Sequence, residues 1–287
     1  MHTSFLAHAK GRYFWLAALL MVGSIVIYAM DNPTEAPNGG TWLGYALGTI
    51  GALLIVWLAY LGRRKRNFTH GWGTVKGWVS AHVYLGSSLL VVATLHTGFQ
   101  FDWNVHTFTF GLMCLVIFSG LFGVFAYRTY PSARNDLKKN QTLDDIFLKV
   151  EKIDSELARL TADSSSDTKM VVSSAIERTV IGGGYRDQLF GRDHSSVVVD
   201  GNVVSNKGQQ QALEFLVEKL SRTEGKENQS VGEVVRTFNT RKQLLDIIRE
   251  DIRMQSTAQV WLLFHIPVTF ALIAALIAHI FSVFVYR

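Results

Sequence analysis

The sequence has a single cysteine, Cys114, among its 287 residues. One thiol excludes an intrachain disulfide, a cysteine-held zinc or iron–sulfur centre, and the C-x-x-C-H motif that attaches haem covalently. Nine histidines are present. Any metal chemistry in this chain is therefore expected to use histidine.

Charged side chains are missing from five long stretches of the chain. These lie at about 13–30, 43–61, 78–98, 107–127 and 258–285, and none contains Asp, Glu, Lys or Arg. Each is close to the roughly 20 residues that a helix needs to cross the hydrocarbon layer of a bilayer. A soluble core helix would carry a polar stripe at a 3.6-residue period, which these stretches lack. The sequence therefore predicts an all-α transmembrane helical bundle of five spans, in contact with the lipid bilayer.

Lysine and arginine alternate from one connection to the next. The segments before the first span, after the second and after the fourth are basic, whereas the loops at 31–40 and 99–105 have neither residue. This alternation predicts that the N-terminus and residues 128–257 are cytoplasmic, in a multi-pass protein of the cell inner (cytoplasmic) membrane. The first apolar run lacks a clear cleavage site and is interpreted as a retained span. Because the basic residues flank spans, no nucleic-acid partner is expected.

The apolar runs divide the chain into three parts. Residues 1–127 hold the first four spans, residues 128–257 form a polar insert, and residues 258–287 hold the fifth span. The insert is expected to be mainly helical. Its last part, residues 231–256, has apolar residues near one side of a helix, which predicts an amphipathic helix that continues into the fifth span.

Local patterns predict further structure within the insert. Apolar residues from Leu143 to Leu160 step by three and four positions, which indicates a helix with a narrow apolar seam. The stretch TADSSSD at 161–167 is interpreted as a flexible break. SSVVVDGNVVS at 195–205 is typical of a β-hairpin that turns at Asp-Gly. A short helix is predicted at 207–221.

Two of the apolar spans carry a histidine at each end of a matching interval. HVYLGSSLLVVATLH runs from His82 to His96, and HIPVTFALIAALIAH runs from His265 to His279. In a helix, 14 residues rise about 21 Å and end about 40° from the starting direction. Both histidines of a segment therefore lie on one face, near opposite membrane surfaces. Since the third and fifth spans run in the same direction, His82 should come level with His265 and His96 with His279.

Two facing imidazoles can supply both axial ligands of a six-coordinate haem iron. The spacing predicts two haem b groups, with His82 and His265 on an inner iron and His96 and His279 on an outer iron. Zinc fits less well, because each level offers two histidines and no carboxylate. For any one histidine, the alternative is a hydrogen bond between helices. Four equally spaced ionisable side chains inside spans favour the ligand interpretation.

This arrangement resembles the di-haem b-type membrane cytochromes, a cytochrome b-like four-helix transmembrane superfamily that includes the cytochrome bc complex subunit. Members carry histidine pairs at a similar spacing on two helices of a four-helix bundle. The resemblance covers the third to fifth spans and implies haem binding and electron transport. This chain departs from the cytochrome bc subunit in having five spans and a large insert before its last histidine pair. The quinone sites of that subunit therefore have no counterpart that can be carried over.

Three further residues are candidates for secondary roles. His106 begins the fourth span near Trp103 and could accept a quinol proton, contact a haem propionate or act as an alternative axial ligand. The simpler interpretation is an interfacial histidine beside a membrane-belt tryptophan. His70, in the inner connection, could neutralise a haem propionate.

Together these features favour a di-haem b-type cytochrome that carries electrons across the membrane as the membrane subunit of a quinone-linked redox complex. Soluble redox proteins would dock on the insert, and no catalytic residue is assigned. The three glycines at 182–184 predict a turn, because no nucleotide-binding motif accompanies them. Two alternatives stay open: a stand-alone transmembrane reductase of an external metal ion or oxidant, and a haem-free membrane-anchored signalling or scaffold protein.

Overall fold

The structure is a computed structural model that describes residues 5–34, 36–66 and 73–285. Its ordered elements within those residues are mostly helical. The α-helices are α1 (Arg12–Met30), α2 (Trp42–Ala59), α3 (Leu61–Arg66), α4 (Val75–Thr97), α5 (Val105–Leu137), α6 (Leu143–Leu160), α7 (Ser166–Glu177), α8 (Tyr185–Phe190), α9 (Gln210–Arg222) and α10 (Gly225–Val285). The strands are β1 (Ser196–Val199) and β2 (Asn202–Ser205), and 3₁₀ segments occur at Phe5–Gly11 and Lys207–Gln209.

Five helices in the described part of the chain are long and apolar enough to cross a membrane: α1, α2, α4, α5 and α10. Their most apolar windows have mean hydropathies of 1.5 to 2.5, yet only 11% to 33% of the residues in those windows are buried inside the protein. Large apolar surfaces of this kind are stable against lipid and not against water. The predicted all-α transmembrane bundle is confirmed, and the chain is a multi-pass membrane protein in contact with the bilayer.

The chain forms two compact units, residues 1–125 with 261–287, and residues 126–260. In the first unit, α4 packs against both α1 and α2. A second set of contacts joins α2 and α4 to α5 and α10 through buried apolar side chains. These side chains are Ile55, Leu58, Leu89, Met113, Leu272 and Leu276. The core of the membrane unit therefore lies between the two helices that carry the histidine segments and their neighbours α2 and α5.

Local capping positions the ends of the membrane helices. Thr41 and Thr74 each accept, through the side-chain oxygen, a hydrogen bond from the backbone amide three residues on, at 3.1 Å, which begins α2 and α4. α4 ends at Gly98 in the left-handed conformation, with φ +58°. A Cβ at Gly98 would lie 2.0 Å from the carbonyl oxygen of Pro37, so a glycine is required. α4 consequently contains both histidines of the first segment.

The second unit contains the predicted helical seam and the predicted hairpin. α6 buries Ile146, Val150 and Leu157, as the steps of three and four residues require. β1 and β2 pair antiparallel. The turn residues Asp200 and Gly201 both have positive φ, 51° and 76°, as a two-residue type I′ turn needs. Both local predictions are confirmed.

Two predicted boundaries in the second unit are wrong. The break expected at 161–167 ends earlier, because α7 begins at Ser166 and buries Val171 and Val172 against the core. Serine and aspartate are common in flexible loops, but here Ser166 and Asp167 form the first turn of α7, and the preceding Ser165 makes no side-chain capping hydrogen bond. The helix expected at 207–221 begins at Gln210, after the 3₁₀ segment. The helix predicted at 231–256 does continue through the fifth span as α10.

A capping box begins α6. Thr142 Oγ1 accepts a hydrogen bond from the Asp145 amide at 3.1 Å, and Asp145 Oδ2 accepts one from the Thr142 amide at 3.0 Å. The Thr142 hydroxyl also donates to the Asp145 carboxylate at 2.7 Å. These hydrogen bonds, led by the one from the side chain of Thr142, hold the pKa of Asp145 below its usual value.

Replacing Thr142 with alanine should destabilise α6 by about 1 kcal/mol, whereas Thr142→Ser should be close to wild type. The pKa of Asp145 is lower in the folded state than in the unfolded state. Its ionised carboxylate therefore contributes to stability above the unfolded pKa, and this contribution to stability is lost as the pH falls through the folded pKa. The difference in stability between wild type and Thr142→Ala should become smaller in the same acidic range. Hydrogen exchange of the amides at 143–147 near neutral pH checks the first statement, and unchanged protection in Thr142→Ala would contradict it.

An ion pair in the second unit joins the buried Arg241 to Asp154, whose side chain is 23% exposed. The Arg241 side chain is 2% exposed and donates from Nε to Asp154 of α6. Its Nη1 donates to Thr179 Oγ1 at 3.2 Å and to Gln209 Oε1 at 3.1 Å. A guanidinium removed from water in this way depends on its one carboxylate partner for charge compensation.

Candidate functional site

The structure brings together the two histidine pairs that the spacing predicts. The ring centroids of His82 on α4 and His265 on α10 lie 6.5 Å apart, with an interplanar angle of 66°. Those of His96 on α4 and His279 on α10 lie 6.0 Å apart, with an angle of 70°. The same two helices therefore face each other with a pair of imidazoles at two levels.

Backbone carbonyls of the neighbouring helix α2 orient the two histidines of α4. Nδ1 of His82 donates to the Leu58 carbonyl oxygen at 3.1 Å, and Nδ1 of His96 donates to the Gly44 carbonyl oxygen at 2.7 Å. A carbonyl oxygen can only accept, so each neutral ring carries its proton on Nδ1. Nε2 of both rings then has the free lone pair that a metal ligand needs.

A serine of α5 orients His265 in the same way. Ser119 Oγ lies 2.6 Å from His265 Nδ1 and donates to the Val116 carbonyl oxygen at 2.9 Å. When the hydroxyl donates its proton to Val116, it is an acceptor for the proton of His265 Nδ1. Trp261 supports this contact by donating from Nε1 to the Ser119 carbonyl oxygen at 2.7 Å. In that arrangement His265 also has its lone pair on Nε2.

His279 meets a fifth histidine, which the sequence analysis did not place in contact with it. Nδ1 of His279 lies 2.7 Å from Nδ1 of His106 on α5, and the two ring centroids are 4.5 Å apart at 84°. One nitrogen donates and the other accepts. The sequence indicated only that His106 lies at the start of the fourth span. It did not indicate that His106 contacts His279, or which ring nitrogen makes the contact.

The separation of the paired rings fits a metal ion between them. A metal–imidazole bond is about 2.0–2.1 Å and the ring centroid lies about 1.1 Å behind the nitrogen, so two axial imidazoles place their centroids about 6.3 Å apart. The observed separations of 6.5 Å and 6.0 Å are close to this value. Two imidazoles that hydrogen-bond directly to each other lie closer together than this. The ring centroids of His106 and His279, for example, are 4.5 Å apart.

An apolar cleft opens at the level of His82 and His265. The cavity volume is about 80 Å³, below the roughly 300–1,000 Å³ typical of ligand sites. Apart from the two imidazoles it is lined mostly by aliphatic side chains and by Gly86 and Gly120. A Cβ on Gly120 would lie 3.6 Å from Cε1 of His265. The lining suits an apolar ligand that carries a metal for the two imidazoles, but a macrocycle would have to spread these walls.

The level of His96 and His279, called the outer level after the predicted topology, depends on a close approach between His96 and α2. A Cβ at Gly48 would lie 2.7 Å from His96 Cε1 and 2.8 Å from its Nδ1, too close for an undisplaced ring. The imidazole is therefore seated against the bare backbone of α2, where it reaches the Gly44 carbonyl oxygen. Glycine at position 48 is a packing requirement of this histidine.

Gly48→Ala should displace the His96 ring and lower the occupancy of any ligand held at the outer level, by about tenfold in affinity. Gly51→Ala is the matched control on the same helix, since a Cβ there would meet Leu89 at an ordinary 3.9 Å. The check is a haem count with a reduced-minus-oxidised spectrum for both variants. Equal occupancy in Gly48→Ala and Gly51→Ala would show that the close approach is unimportant.

No group of three or more His, Cys, Asp or Glu side chains that could hold a metal occurs in the described ranges. The paired imidazoles, with His106 beside His279, are few for a bare metal ion, but one pair is the axial set for a haem, whose porphyrin supplies the other four nitrogens. Of the secondary candidates, Trp103 is fully exposed, and His106 is the only one found against a histidine of the pairs in the described residues. His70 lies outside the described residues.

Comparison of the chain with models of protein families, with curated proteins and with solved structures finds no match.

Proposed function

We propose that this protein is a di-haem b-type cytochrome that carries electrons across a membrane, with His82 and His265 on one iron and His96 and His279 on the other. One observation supports this function above the others: each of the four paired rings has its Nδ1 hydrogen-bonded to a neighbouring helix. Metal-bound histidines characteristically use the second ring nitrogen in this way, which fixes the ring orientation and leaves the other nitrogen for the metal.

The chain's own residues would hold, orient and shield the haem groups. Haem, when bound, supplies reversible one-electron chemistry at its iron. The backbone carbonyls of Leu58 and Gly44 fix the ring orientation of the α4 histidines, and the hydroxyl of Ser119 fixes that of His265. The aliphatic lining of the inner cleft would keep water from the iron, which favours electron transfer over side reactions. Two sites on one pair of membrane helices would form a route for electrons from one membrane surface to the other.

The setting of this electron route is part of the same proposal. The alternation of basic residues supports a location in the cell inner membrane with the N-terminus and the insert in the cytoplasm. In that setting the insert would dock a soluble redox protein, and a quinone or quinol would exchange electrons with the membrane part. The chain would then act as the membrane subunit of a quinone-linked redox complex.

The test is a haem count on the protein purified in detergent from a haem-replete host. We expect about two b-type haems per chain by pyridine haemochromogen assay, and two one-electron steps in a redox titration. A colourless protein would overturn the proposal and favour a haem-free signalling or scaffold role. Two haems with transfer of electrons to an external metal ion or oxidant by the isolated chain would favour a stand-alone reductase.

A further inference from the structure

The two histidines of α10 are held by chemically different groups. Ser119 is a hydroxyl that accepts the proton of His265 Nδ1 when its own proton is donated to the Val116 carbonyl oxygen. His106 is a ring with two nitrogens, and either partner in its 2.7 Å contact with His279 could donate. The direction of this one hydrogen bond decides whether His279 has a lone pair on Nε2.

Only one direction is compatible with His279 as a ligand. If His106 donated, Nδ1 of His279 would accept, and the proton of the neutral His279 ring would be on Nε2, where it blocks a metal. If His279 donates, Nδ1 of His106 carries a lone pair and the proton of the neutral His106 ring is on Nε2. The His106 side chain is exposed, so its Nε2–H can be satisfied outside the protein core.

The helix start holds His106 in position for this role. α5 begins at Val105, and Asn104 Oδ1 accepts a hydrogen bond from the Thr107 amide at 3.0 Å, which caps the first turn. Further along the same helix, the Thr109 hydroxyl donates to the Val105 carbonyl oxygen at 2.8 Å and shares this proton with the Ala275 carbonyl oxygen of α10 at 3.3 Å. α5 and α10 are therefore tied together within one turn of the histidine contact.

We infer that His106 is a positioning residue that accepts the Nδ1 proton of His279, selects its metal-binding tautomer and thereby lowers the reduction potential of the outer haem. This inference rests on the proposed function. An acceptor on Nδ1–H makes an imidazole a stronger electron donor to its metal. Stronger donation favours ferric over ferrous iron, so losing the acceptor should raise the potential.

The experiment compares two variants in a redox titration of the purified protein, with the low-spin ferric signals followed by electron paramagnetic resonance. His106→Leu removes the acceptor at similar size, and we expect the outer haem's reduction equilibrium to shift by about tenfold, which is about 59 mV upward for one electron. His106→Asn places an amide oxygen near the position of Nδ1 and should restore a potential close to wild type. The inner haem should be unchanged in both variants.

Each outcome has a separate meaning. A colourless wild-type protein overturns the proposed function itself. Two haems in wild type with an unmoved outer potential in His106→Leu overturn only the role of His106. Loss of the outer haem from His106→Asn, with retention in His279→Ala, would show that His106 is itself the axial ligand and would also overturn the inference. If His106→Leu does not fold, His106→Gln, whose amide oxygen extends beyond the Nδ1 position, should show the same upward shift.

Discussion

Replacing His265 with alanine should reduce the number of low-spin haems from about two to about one per chain and abolish electron transfer across the membrane. The variant leaves His82 as the single imidazole at the inner level, which cannot complete a six-coordinate iron. The His96 and His279 pair lies one full histidine interval further along the same helices and keeps both of its rings. Pyridine haemochromogen counts and low-temperature reduced-minus-oxidised spectra of the purified protein provide the measurement.

Two controls separate ligand loss from general damage. His194→Ala removes a histidine of the second unit whose side chain is 60% exposed, and it should keep both low-spin haems. His265→Gly opens a space at the ligand position, so that free imidazole in the buffer should restore the low-spin spectrum. Two low-spin haems in His265→Ala, without added imidazole, would show that His265 is not an axial ligand.

Replacing Asp154 with alanine should destabilise the second unit by about 3–5 kcal/mol, because it leaves a buried guanidinium without a carboxylate. Arg241 is 2% exposed, and its remaining partners, Thr179 and Gln209, are neutral. Since stabilities of 5–15 kcal/mol are typical of whole domains, most of the fold's margin would be lost. The free energy of unfolding can be measured by urea-dependent hydrogen exchange of the buried Phe238 amide in the full-length protein.

The matched control for this prediction lies on the same helix. Glu156→Ala removes an exposed carboxylate of α6 and should change the free energy of unfolding by no more than about 0.5 kcal/mol. Asp154→Asn, which keeps an acceptor but not the charge, should fall between the two. If Asp154→Ala changed the free energy of unfolding no more than Glu156→Ala, water would have to reach Arg241 and compensate its charge.

The pairing of the membrane histidines could be predicted because helix geometry converts spacing into position. A fourteen-residue interval on two parallel helices sets the level and the face of each ring, and His82 meets His265 as this requires. What surrounds each ring could not be predicted. The partners of His82 and His265 are Leu58 and Ser119, a backbone carbonyl and a common hydroxyl on other helices, and neither leaves a mark in the sequence.

The second unit shows the same division between local and distant effects. The hairpin at 195–205 was predictable, because Asp200 and Gly201 are residues that accept the positive φ of a type I′ turn. α7 was missed, because its small apolar surface becomes helical only when Val171 and Val172 are packed against the core. The ion pair of Asp154 and Arg241 joins residues far apart in the chain and has no local signature.

The sequence by itself determined the number of spans and the level of each histidine. These follow from hydrophobic run length and from the fixed rise and rotation of an α-helix, which need no knowledge of neighbours. Only the tertiary structure decided which nitrogen of each ring meets a neighbouring helix, that the His96 ring packs against Gly48 and that His106 contacts His279. Those properties depend on contacts between helices, since a hydrogen bond or a close approach exists only once two distant segments have packed together.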